Sequence, residues 1–279
     1  MTFEQLQEKI GNQNKDDWKQ HTNGKGWIHK NAKIDDSAFV GANSIVWGIV
    51  SGDARVSGNA WVYGNAQVSG NAQVSGNAQV YGNARVSGNA QVSGNAQVYG
   101  NAWVYGDARV SGNAQVSGNA QVYGNARVSG NAQVSGNARV SGNAQVYGNA
   151  WVSGDTRVSG NARVYGNARV SGNARVYGNA RVYGNAWVYG DAQVYGDAQV
   201  YGDAWVSGNA WVKPILFLLD SRGHGATNCK HGWLKIGCEE HPFADWQARF
   251  DAIARKHNLN NEEKIEYKAI VDLFCKIGR

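Results

Sequence analysis

Valine recurs at every sixth residue from Val56 to Val212, 27 valines without a miss. Alanine stands two residues before each of them, with Thr156 as the one replacement. The unit is Ala-x-Val-(Ser or Tyr)-Gly-(Asn or Asp), as in Ala54-Arg55-Val56-Ser57-Gly58-Asn59. In extended backbone Ala and Val point to one side and x to the other. Gly followed by Asn or Asp tolerates positive φ at low cost and marks a turn. Six residues therefore predict one short strand and one corner. Three sides close a triangular coil of about 18 residues, and stacked coils pair by parallel ladders. About nine such coils, each roughly 4.8 Å high, predict a prism roughly 43 Å long. Each buried valine contributes about 1.5 kcal/mol or more. No coil buries its own apolar side, so stacking supplies the core.

Upstream, Ile28, Ile34, Val40 and Val46 keep the six-residue spacing in another phase, with Ala32, Ala38 and Ser44 as small partners. The next large residues are Val50 and Val56. The slip around Trp47-Gly48-Ile49 predicts a bulge or a shortened corner. Open ends of such a prism expose ladder edges and core, and need caps. Phe3 to Gln20 predicts an amphipathic helix, with Leu6 and Ile10 covering the first coil. Lys213-Pro214 stops the repeat, and Ile215 to Leu219 predicts an apolar strand. Pro242 suits the opening turn of a helix with Phe243, Trp246, Phe250 and Ile253 on one face. Asn260 and Glu263 predict a capping box for a second helix carrying Ile265, Ala269, Leu273 and Phe274. The expected organisation is a helical cap over 1–26, the prism over 27–212 and a small α+β module over 213–279.

The unit Val-x-Gly-Asn-Ala-x resembles the hexapeptide repeat of left-handed β-helix proteins, departing chiefly at its second position. The resemblance covers Ile28 to Val212. It implies an all-β solenoid, a left-handed parallel β-helix of about nine to ten triangular coils, with the N-terminal cap and C-terminal module at its ends. The hand comes from the resemblance, since ordinary parallel crossovers are right-handed. A homotrimer is a further implication of the family. Ile236-Gly237-Cys238, followed by His241 and an amphipathic helix, resembles a tail of phage and prophage members.

Composition narrows the function classes. There are 37 Gly but 2 Pro, which excludes collagen. The formal charge of +6 permits an anionic partner without demanding one. Cys229, Cys238 and Cys275 are too few and odd for a secreted disulfide framework. Met1 to Gln20 carries charges of both signs and does not read as a signal peptide. No apolar run is long enough for a membrane span. The expected location is the cytoplasm.

The superfamily includes acyltransferases and γ-class carbonic anhydrases, which use histidines as general base or zinc ligands. From Ser51 to Val212 there is no His, Cys, Glu or Lys. His29 is the lone histidine in any coil, so the family's catalytic residues have no counterpart and no cofactor is expected. An unusual acyltransferase is kept as an alternative on fold alone, which does not carry function. In the tail, Cys229, His231, Cys238 and His241 are zinc-ligand types, but their spacings match no common finger, and no metal is assigned. Ser221 and His224 lack an identifiable orienting acid, which argues against a nucleophile.

Outward residues 18 apart share one face. The first face carries Arg55, Arg109, Arg127, Arg163 and Arg181. The second carries Trp61, Trp151, Trp187 and Trp205, with Arg169 as its charge. The third mixes Arg85, Arg139, Arg157 and Arg175 with Trp103 and Trp211. Tyr147, Tyr165, Tyr183 and Tyr201 flank the first-face arginines. Arg163, Arg181, Tyr165 and Tyr183 are the candidate ligand-binding residues, pairing guanidinium donors with aromatic rings. The expected ligand is an anionic small molecule such as a nucleotide signal. Trp151, Trp187 and Trp205 are the candidate oligomer contact. The alternative is that these ladders merely stabilise stacked strands, in a structural or protein-interaction scaffold. Duplex DNA is not the expected partner, and 10 Arg against 6 Asp in the repeats is the wrong sign for a DNA mimic.

Overall fold

The computed structural model describes residues 1–212, 217–219, 225–230, 233–236 and 238–277. The repeats build a β-solenoid of about ten turns, with three parallel sheets as its faces. Each hexad contributes a two-residue strand, such as Arg127–Val128, whose valine is buried while its partner faces out. Strands 18 residues apart pair in register, so Val110, Val128 and Val146 stack directly. In each coil, backbone amides donate to the carbonyls of the next: Arg127 to Ala144 at 2.9 Å, Ser129 to Val146 at 2.9 Å and Asn131 to Gly148 at 2.7 Å. The axis is filled by stacked valines and alanines, fully excluded from solvent through almost the whole length.

The corner needs its glycine twice over. Gly130 has φ +69°, and a Cβ there would lie 3.0 Å from the backbone N and O of Gly148. At such stacked corners a side chain would have to displace the backbone of the next coil.

A further ladder runs outside these corners. Asn side chains donate Nδ2 to the Oδ1 of the residue one coil on, as in Asn131 to Asn149 at 2.9 Å and Asn149 to Asn167 at 3.1 Å. The polarity is uniform, with donors pointing toward higher residue numbers. Lys9 Nζ donates to Asn59 Oδ1 at 3.2 Å where one column begins. Aspartates accept where a run stops: Asn179 to Asp197 at 2.9 Å and Asn185 to Asp203 at 3.0 Å. A carboxylate accepts but does not donate, so it closes such a run without leaving an amide hydrogen unmatched.

The N-terminal cap corrects the expected helix. Helix α1 spans only Phe3–Ile10, opened by a Thr2/Gln5 capping box and stopped at Gly11, φ +81°. A short turn, Lys15–Asp17, leads into strand β1, Trp18–Gln20, which pairs antiparallel with β2, Trp27–His29. The helix stops short of Gln20 because Gly11 breaks it and because Trp18 finds its partner across the sheet. Leu6 packs on Trp18, Trp27 and Ile45. The slip near Trp47 is a shortened corner. Two residues, Trp47 and Gly48, separate Ile45–Val46 from Ile49–Val50, and a Cβ on Gly48 would lie 2.5 Å from the Ala66 carbonyl oxygen.

After the prism, strands Phe217–Leu219, Gly225–Lys230, Trp233–Ile236 and Glu239–Pro242 form an antiparallel sheet in chain order. Helices α2, Phe243–Lys256, and α3, Asn261–Ile277, follow. Trp246, Phe250, Ile270, Val271 and Phe274 form their shared core with Leu234 and Ile236. The Asn260/Glu263 capping box is present, with both backbone amides bonded, at 2.8 and 2.9 Å. Lys213, Pro214, Ile215, Leu216, Ser221, His224, His231 and Gly237 lie outside the described residues. Among the described residues no helix is long and apolar enough to cross a membrane.

Candidate ligand-binding surface

The prism sorts its outward side chains as the 18-residue period requires. Arg163 and Arg181 are direct neighbours on the first face. Tyr147, Tyr165, Tyr183 and Tyr201 stack beside them in one column, with centroids 4.9, 4.9 and 5.4 Å apart. The Tyr165 and Tyr183 planes differ by 4°, so each ring face is covered by its neighbour. What these two rings present outward is an edge and a hydroxyl, and Tyr183 donates to Gln199 Oε1 at 3.1 Å.

The tryptophans are not continuous. Trp187 stacks on Trp205 at 5.3 Å. Between Trp151 and Trp187 lies Arg169, its guanidinium 5.8 and 5.0 Å from their ring centroids. These residues, with Ser153 and Ser171, line a shallow cleft of about 210 Å³. Trp151 is 43% and Trp205 68% exposed, so the face offers apolar area around one charge.

In chain order the arginines form a group that the three faces divide. Arg157, Arg163, Arg169, Arg175 and Arg181 occupy five successive repeats, and no acidic residue lies between Thr156 and Gly190. They girdle the prism over rather more than one coil. Arg139, Arg157 and Arg175 are direct neighbours on the third face. No ion pair to a described residue engages any prism arginine. Like charges placed opposite each other on paired strands are destabilising, and two such pairs, Arg157/Arg175 and Arg163/Arg181, fall within the belt. The belt is legible in the chain order of the hexads, while the 18-residue period divides it over three faces.

In the tail, Glu239 is buried and accepts three hydrogen bonds. Oε1 takes one from Lys256 Nζ at 2.6 Å and one from His257 Nε2 at 2.7 Å, and Oε2 takes one from His241 Nε2 at 2.8 Å. Lys256 first, then His257 and His241, hold the Glu239 carboxyl down to about 2. Cys238 and His257 bring ligating atoms within 4.8 Å of one another and of Glu239. Of Cys229, His231, Cys238 and His241, His241 reaches Glu239 and Cys238 stands beside it, while His231 lies outside the described residues. Glu239 and His257 were not foreseen, because they meet through strand–helix packing across 18 residues.

The solenoid, with its repeats and external ladders, defines a β-solenoid repeat protein. The family model described as the YdcK β-solenoid repeat matches residues 50–64, 78–118, 120–190 and 192–213 in overlapping copies, more than half of the chain. The chain belongs to that family. Among solved structures it is similar to the Arabidopsis UDP-N-acetylglucosamine acyltransferase, with 14% identity, TM-score 0.49, and coverage of 63% of this chain and 71% of that one. The Francisella novicida acyltransferase gives 15%, 0.40, 62% and 64%. The Moraxella catarrhalis UDP-N-acetylglucosamine O-acyltransferase (LpxA) gives 17%, 0.37, 63% and 71%. No curated protein matches significantly.

Proposed function

We propose that this protein is a non-enzymatic binding scaffold, homotrimeric through its tryptophan face, whose arginine belt holds an anionic small ligand such as a nucleotide. The belt carries the proposal: five successive outward arginines with no acid interposed. Guanidinium groups make charge-assisted, often bidentate bonds to phosphate or carboxylate. Arg163 and Arg181 would hold the anion, with the Tyr165 and Tyr183 hydroxyls at its side. Base stacking is confined to the ends of the tyrosine column, where Tyr201 is 60% exposed. The tail's resemblance to phage members supports a phage-encoded origin.

Acyl transfer has less support. The acyltransferase likenesses lie at 14–17% identity, and the coils from Ser51 to Val212 offer no histidine as general base. The second reading, a structural or protein-interaction scaffold, is favoured by the self-stacked tyrosines, whose faces already serve one another.

A thermal-shift panel of nucleotides, cyclic dinucleotides, acyl-CoA and oligosaccharides separates the readings. A nucleotide response that Arg163→Ala/Arg181→Ala abolishes supports the belt. Silence across the panel sinks it and leaves the structural scaffold. Turnover with acyl-CoA would revive the transferase. Light scattering at the monomer mass would overturn the trimer.

A further inference from the structure

The tail module contains a group of side chains that the binding-scaffold proposal does not use. Cys238 sits in the turn after strand Trp233–Ile236, Glu239 opens the next strand, and His257 caps the C-terminal end of α2. Thiol, carboxylate and imidazole atoms lie within 4.8 Å of one another. All three residues line a cavity of about 80 Å³, whose remaining wall is apolar apart from Tyr267, with Trp246, Phe250 and Leu259. A mixed set from a turn, a strand and a helix end, converging on one small space, is how metal ligands are assembled.

We propose that Cys238, Glu239 and His257 hold one divalent transition-metal ion of the zinc class. Sulfur, nitrogen and oxygen donors lie about 2.0–2.3 Å from tetrahedral zinc, which places them roughly 3.3–3.8 Å from one another. The observed spacing reaches that range with small side-chain movements. Thiolate disfavours magnesium and calcium, which take oxygen donors, and selects zinc or its neighbours. Glu239 Oε1 now accepts from Lys256 and His257. Metal binding replaces the His257 bond with coordination through Nε2, whose proton leaves by exchange with solvent while the neutral ring keeps its proton on Nδ1, and the ion takes over from the Lys256 ammonium as counter-charge. Lys256, two-thirds exposed, is free to swing into water. The Cys238 thiol proton leaves to solvent as the thiolate binds. His241 stays on Oε2, 2.8 Å away, as a positioning residue that orients the carboxylate. Three protein ligands leave a fourth position directed at the cavity, with room for water or a ligand of a few atoms.

The test uses the full-length protein. Metal analysis after chelation and zinc reloading should give one zinc per chain, and cobalt substitution should give tetrahedral d–d bands with a thiolate-to-cobalt charge-transfer band. X-ray absorption on the zinc form should show a single sulfur among nitrogen and oxygen ligands. Cys238→Ser and His257→Ala should each weaken zinc binding at least tenfold, and His241→Ala should weaken it less. Cys275→Ser and Cys229→Ser should leave it unchanged. No stoichiometric metal uptake overturns the proposal. So do zero or several sulfur ligands in the wild-type spectrum, a result that does not depend on any variant folding. Loss of the charge-transfer band in Cys229→Ser but not in Cys238→Ser also overturns it.

Discussion

At the scale of single residues, the prism is regular enough that its exceptions are informative. Thr156 occupies an alanine position, fully buried, and its hydroxyl has no hydrogen-bond partner. A buried unmatched hydroxyl is destabilising by about 1–3 kcal/mol. Thr156→Ala should therefore raise stability by about 1 kcal/mol or more, read as a higher denaturation midpoint. A lower midpoint would mean that the hydroxyl is satisfied in solution. The corners give the converse case. Gly130→Ala combines a left-handed backbone, φ +69°, with a 3.0 Å approach to Gly148. Gly208 has φ +60° but nothing within 4 Å of its would-be Cβ. Both substitutions incur the left-handed cost of roughly 1–2 kcal/mol, and Gly130→Ala adds the clash. Chemical denaturation should rank Gly130→Ala as clearly the worse; equal effects would refute the packing account.

At the scale of elements, the cap on the first coil should respond to pH. His29 is buried between Trp18 and Trp47, with centroids 5.1 and 4.3 Å away. The Asn31 backbone amide donates to its Nδ1 at 3.2 Å, which requires that nitrogen to be unprotonated. Burial first, then Lys30, pushes the His29 pKa below its ordinary 6.5, against the opposing pull of Asp17. The unfolded chain then binds the proton more readily than the folded one. Stability from this site is complete above about pH 6.5 and is lost as pH falls through that value toward the lower folded pKa. Amide exchange in residues 1–30 should speed up between pH 7 and 5 relative to the mid-prism, after correction for intrinsic rates. His29→Gln should flatten that dependence, and an unchanged pH response in the variant would remove His29 as its cause.

Elements also differ in how openly the chain declares them. Each prism hexad contains its own strand and turn, so local pattern and global fold agree at every step. The three faces followed directly, and of the bulge or shortened corner expected near Gly48 the structure has the shortened corner. Trp18–Gln20 did not, because its partner Trp27–His29 is reached only by turning back through Gly24 and Gly26. Apolar spacing alone let the chain read as continued helix. The asparagine ladder was hidden for another reason: Asn at the turn explains itself locally, and nothing in one hexad shows that its amide also reaches the next coil. Among candidate site residues, the neighbourhoods of Arg163 and Trp187 were legible because an 18-residue period sets them. Glu239 and His257 meet only through the packing of α2 on the tail sheet.

For the whole molecule, the inside and outside of the prism obey different periods. The core repeats every six residues, while the faces repeat every eighteen. Removing Gln115 to Ala120 should leave a chain that still joins Ala114 to Gln121-Val122 in pattern and folds cooperatively by circular dichroism. Removing Gln115 to Ala132 should do the same. An unfolded shorter deletion would show that the three sides are not interchangeable. The two products would nevertheless differ: the shorter deletion turns every downstream column by a third of a revolution relative to those upstream, and the longer one preserves alignment. Gain or loss of a single repeat in the gene thus acts as a combination dial, re-dealing which upstream and downstream side chains share a face while the packed interior registers no change.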